Sequence, residues 1–119
     1  MTGLRGEAAI VGYTERPATK RPTGPLESTL EQWARLAAAT LADAGLSATE
    51  VDGICTGHLQ EVGIFAPSTI AEYLGVKVNF AEMVDLGGAS AAAMVWQAAA
   101  AIELGHHGGD RVLRAGERG

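Results

Sequence analysis

From Ala89 to Ile102 the chain reads ASAAAMVWQAAAAI, a run without one charged side chain. Alanine is the strongest helix former, so the run predicts a helix from Ala89 to Leu104, closed by Gly105. A helix with no polar face needs cover on all sides. Alanine by itself tolerates water, but Met94, Trp96 and Ile102 do not: each forgoes about 1.5–3 kcal/mol if left exposed. The fold must therefore place apolar layers on two sides of this helix. That requirement is severe for 119 residues.

The rest of the chain offers one such layer. Ala8-Ala9-Ile10-Val11-Gly12 reads as a buried strand, and residues 13–27 as a loop rich in proline. Ser28-Thr29-Leu30-Glu31 has the form of a capping box and opens a helix. Its stripe is Leu30, Trp33, Ala34, Ala37, Leu41 and Ala44, and its stop is Gly45. Ser47-Ala48-Thr49-Glu50 is a second capping box of about one turn, leading into a strand over Val51–Gly57. Pro67 suits the first turn of a short helix that ends at Leu74-Gly75. Residues 76–84 are the third strand candidate, and Arg111-Val112-Leu113-Arg114 the fourth. This βαβαβαβ order predicts an α/β domain with a layered, parallel-rich sheet. One side of the uncharged helix can lie on that sheet. The other side is left for a missing half-chain or a partner.

Composition narrows the function. With 47% hydrophobic and 19% charged residues the chain is a folded domain, not a disordered tail. A formal charge of -5 and no long basic run argue against nucleic acid; Arg16, Lys20 and Arg21 alternate with prolines in a loop. Gln97 and Glu103 interrupt the most apolar stretch, so no membrane span is expected. A single cysteine and no leader-like N-terminus make the cytoplasm the expected compartment. His58, His106 and His107 show no metal-ligand spacing, so no metal is expected. Ile10-Val11-Gly12-Tyr13-Thr14 lacks the glycine pattern of a nucleotide site.

The chemistry gathers where the third strand candidate meets the uncharged helix, at Asp85-Leu86-Gly87-Gly88-Ala89-Ser90. Small residues let the backbone turn sharply and leave N–H groups at a helix start, where negative charge is stabilised. Gly87, Gly88, Ala89 and Ser90 are the candidate substrate-binding residues. Each has a structural alternative: glycine for a tight turn, serine as an ordinary helix cap. Asp85 complements the positive helix end and competes with any anion there. Cys55 lies in an apolar strand run with no neighbouring base, which reads as a structural thiol.

Taken together, these stretches resemble the N-terminal half of the thiolase superfamily, closest to its thiolase-like, sterol-carrier-type branch. The resemblance rests on AAIVGYTE from Ala8, on ADAGLS from Ala42 with Val51-Asp52-Gly53-Ile54, on IAEYLG from Ile70, and on DLGGASAA from Asp85. It implies a half of a five-layer αβαβα fold, with the helix after the nucleophile buried in the central layer. It implies an acyl-CoA acyltransferase ancestry in lipid metabolism, with coenzyme A thioesters as substrates. In such enzymes a cysteine opens that helix; the matching position here is Gly88, so no catalytic residue is assigned. The second cysteine and the histidine of the family belong to the C-terminal half, and the chain alone is expected to be inactive. A glycine at this position also resembles a lyase group that splits hydroxyacyl-CoA together with an OB-fold partner. A third reading is a non-catalytic association module. All three expect homo- or hetero-oligomers, through Val78–Met83 and the helix Ala89–Leu104.

Overall fold

The computed structural model describes residues 5–21 and 23–105. Helix α1 spans Thr29–Ala44, a 3-10 turn Ala48–Glu50, strand β1 Gly53–Thr56, helix α2 Ala66–Leu74, strand β2 Phe80–Met83, a 3-10 turn Gly87–Ala89, and helix α3 Ser90–Glu103. The two strands pair in parallel, Gly53 opposite Phe80 and Thr56 opposite Met83. Flanking bonds from Asn79 N–H to the Asp52 carbonyl and from Val84 N–H to the Thr56 carbonyl, both 2.9 Å, extend the ladder at each end. This is an α/β arrangement built on a small two-stranded sheet.

The helix ends follow their sequence signals. Ser28 Oγ accepts the Glu31 N–H at 3.2 Å, and Gly45 closes α1 in the left-handed conformation that glycine adopts freely. Glu31 does not reach back to the backbone; its carboxylate instead accepts from the Ser28 hydroxyl at 3.3 Å. At the next turn the reciprocal bond does form, Ser47 N–H to Glu50 Oε2 at 2.8 Å. A long-range contact adds to the caps: Glu61 accepts from both the backbone N–H and the hydroxyl of Thr29, which ties the loop after β1 to the start of α1.

β1 is the centre of the packing, and all four of its residues are buried. Successive side chains on a strand take opposite faces. Ile54 joins Ile70 and Ala71 of α2, with Leu30 and Trp33 of α1 packed against them. Cys55 joins Val84 and Met94 of α3 on the other side. The two strands therefore lie between α1 and α2 on one face and α3 on the other.

Two expectations change. Ala8–Gly12 is not a strand: among the described residues it has no ladder partner, and its backbone lies instead against helix ends. Gly12 packs on α1, Tyr13 N–H donates to Asp43 Oδ2 at 3.0 Å, and the N–H groups of Arg5 and Glu7 donate to Glu103. A strand exists only through its neighbour, which an apolar pattern cannot supply by itself. The third strand is shorter than residues 76–84, because Val76 and Val78 turn into the α1/α2 core before pairing begins at Phe80. The proposed strand at 111–114 and His106 and His107 lie outside the described residues.

Candidate functional site

The parallel pairing brings the carboxyl ends of both strands to one edge of the sheet, where open α/β sheets hold their ligands. Here β2 runs through Val84 and Asp85 into the turn Gly87–Ala89, and the turn runs without a break into α3. Gly87, Gly88 and Ala89 are exposed and Ser90 is half-buried. The four residues expected to form a site are thus continuous and at the surface.

Their hydrogen bonds separate structural roles from available ones. Ser90 Oγ accepts the Leu86 N–H and donates to the Gly87 carbonyl, both at 2.8 Å. That hydroxyl locks the turn. Ala89 N–H bonds to the Leu86 carbonyl at 3.2 Å, Ser90 N–H to the Gly87 carbonyl, and Gly87 N–H leans on Asp85 Oδ1 at 3.5 Å. Gly88 is left as the residue of the turn whose N–H has no partner inside it. Asp85 accordingly binds within the turn as well as complementing the helix end.

The two glycines differ in kind. Gly87 has φ +59°, a conformation that side chains resist, and Gly88 does not. A Cβ at either would meet no atom within 4 Å, so the space above Gly88 is open. Gly87→Ala is expected to lower stability by about 1–2 kcal/mol, from the left-handed backbone alone. Gly88→Ala is expected to raise it by about 0.4–1 kcal/mol, by restricting the unfolded chain. Urea midpoints of the two variants check the opposite signs.

Cys55 is fully buried beneath α3, far from a nucleophile's exposure. Thr56, beside it, is also fully buried, and among the described residues its hydroxyl has no hydrogen-bond partner. His58 is exposed just past β1. Arg16 and Arg35 both pair with Glu27, at 3.2 and 3.0 Å, so part of the loop's positive charge is already answered. Among the described residues no cluster of His, Cys, Asp and Glu is placed to hold a metal ion. Among them no helix is long and apolar enough to cross a membrane.

Comparison with protein-family models, with curated proteins and with solved structures finds no match for this chain. The functional reading therefore rests on the residues and their geometry.

A feature that the sequence did not announce lies at the other end of the strands. A cavity of about 220 Å³ sits beneath α1, walled by Ala37, Leu41, Val51, Ile54, Leu74 and Val76. Each wall residue fits an ordinary apolar stripe, so no single position signals the cavity. It arises from the number of alanines that α1 turns toward the sheet.

Among the described residues, the uncharged helix is left partly open. Met94 is buried against Cys55 and Val84, and Ala98 and Ala101 are buried too, while Trp96 is 62% exposed and Val95 41%. Leu86 and Met83 are exposed nearby in the chain, and β2 is an edge strand with Ala81, Glu82 and Met83 open to solvent.

Proposed function

We propose that this chain is the N-terminal half of a thiolase-like acyl-CoA protein, completed by a second half or a second copy. The observation that carries the reading is the Gly88 position. It stands at the start of α3, at the carboxyl edge of a parallel strand pair, with a free N–H and open space above it. A thioester carbonyl oxygen seated there would accept that N–H, in the field of the helix start. Gly87, Ala89 and Ser90 shape the seat, and Ser90 does so by locking the turn.

The half-covered α3 supports the same reading. Its bare side asks for a further layer, as the five-layer αβαβα arrangement would supply. The open edge of β2, with Val78–Met83, is the corresponding place for association. In this account acyl-CoA is recognised only in the completed assembly, and the chain alone carries out no acyl transfer.

A second reading has one observation in its favour. Gly88 has no side chain, so no acyl-enzyme forms at this position, which suits a lyase of hydroxyacyl-CoA acting with an OB-fold partner better than a transferase. Both readings use the same carbonyl seat.

The seat is tested by a thioester short enough to need no coenzyme A loops, the acetyl thioester of N-acetylcysteamine. In Gly88→Cys the introduced thiolate attacks the carbonyl carbon, a new C–S bond forms, and N-acetylcysteamine leaves as its thiol. Helix-start N–H groups lower a thiol's pKa and stabilise the oxyanion. Intact-mass kinetics should show acetylation at position 88 at least about tenfold faster than that of free cysteine, and none in the unsubstituted chain. A rate equal to free cysteine, or an adduct on Cys55, would remove the carbonyl seat from the account.

A further inference from the structure

The cavity beneath α1 has a wall that side-chain rotation cannot close. Helix α1 presents Ala34, Ala37 and Ala38 to it, and alanine has no torsion that carries atoms inward. Backbone bonds hold the turns that border it. Leu46 N–H donates to the Leu41 carbonyl at 2.9 Å, Val51 N–H to the Ala48 carbonyl at 3.1 Å and Val76 N–H to the Ala71 carbonyl at 3.1 Å. Ile54 is its most buried wall residue, whereas Ala38 and Ala48 are exposed and mark its mouth. The space is thus preformed, as small-molecule sites usually are.

The lining decides what can enter. Among the described residues no charged side chain lines the cavity, and its one polar side chain is Thr40, whose hydroxyl already donates to the Leu36 carbonyl at 2.8 Å. A buried water needs about two to four polar partners, and an ion needs a counter-charge, so the wall suits neither. A cavity of about 150 Å³ lined by Leu, Ile and Phe stays dry and takes up benzene. The cavity here holds about 220 Å³, room for a ring with a short apolar substituent.

We infer that this cavity is a binding site for one small neutral hydrocarbon ring, of the size of toluene. The ring supplies the dispersion contacts that the alanines leave unmade, and it joins α1 to Val51, Ile54 and Val76. The site is separate from the turn at Gly88. That turn follows the carboxyl ends of the strands, while Val51 and Val76 precede their amino ends, so occupation of one does not require the other.

Methyl NMR of the whole chain titrated with toluene tests this. The methyl resonances of Leu41, Val51, Ile54 and Val76 should move and saturate, and the melting temperature should rise with toluene concentration by at least about 3 °C. Ala37→Leu places an isobutyl group in the same space and should abolish both responses; Ala34→Leu serves if that variant does not fold. Shifts that never saturate, shifts centred on the exposed Val95 and Trp96, or responses that persist in the leucine variant would each overturn the proposal. If neither variant folds, NOEs in the unsubstituted chain decide: cross-peaks from the toluene ring to the Ile54 methyls support the site, and their absence overturns it.

Discussion

Ile54→Ala is expected to lower the unfolding free energy by about 2–5 kcal/mol, the usual range for emptying a fully buried aliphatic site. Ile54 is 1% exposed and stands in the cluster where β1 packs against α1 and α2. It packs on Ile70 and Ala71, with Leu30, Trp33 and Val78 around them, so its loss opens a gap that α2 and α1 share. A small domain has roughly 5–15 kcal/mol in all, and this core is small. The cavity already lying beside Ile54 makes collapse around the alanine harder, because the wall has few atoms to move inward. Urea unfolding followed by tryptophan fluorescence should show the midpoint falling by a third or more. An unchanged midpoint would mean that β1 is not the centre of the fold.

Gly12→Ala should be the next most costly change, at about 1–3 kcal/mol for overpacking. Its methyl would stand 2.9 Å from the Ala44 Cβ, 3.0 Å from the Thr40 carbonyl oxygen and 3.1 Å from the Ala44 N. Two of those three atoms are backbone of a regular helix and cannot rotate away. The N-terminal segment would have to lift from α1, losing the Tyr13 bond to Asp43. Calorimetric melting should register the drop, and exchange of the Tyr13 amide should quicken. A glycine that served only flexibility would show neither, since Gly12 has no left-handed backbone to strain.

These two sites mark the limits of what the sequence made legible. Helix α1 was readable because its signals are local: Ser28 caps it, Gly45 stops it, and its stripe lies within sixteen residues. The same holds for Pro67 near the start of α2 and for the Ser47–Glu50 box. The burial of Ile54 and Cys55 was readable from their apolar run. Ala8–Gly12 has a run of the same quality and became something else, because strand pairing is a property of two segments. The close fit of Gly12 on Thr40 and Ala44 joins residues about thirty apart, and no window along the chain contains it.

The candidate site shows the same division. Its position at the strand-to-helix turn followed from glycine, small residues and the uncharged run after them. Its division of labour did not. That Ser90 locks the turn while Gly88 keeps a free N–H depends on which side of one 3-10 turn each group faces. The open side of α3, by contrast, was foreseeable from charge pattern alone: a helix with no charge until Glu103 cannot be covered twice by so few elements.

That uncovered face is the centre of the account, and light scattering on a gel-filtration column tests it directly. With Trp96, Val95 and Leu86 in water and β2 open at its edge, the chain should elute as a dimer or larger assembly, or bind a hydrophobic dye if held monomeric by dilution. A stable, folded monomer that binds no dye would contradict it.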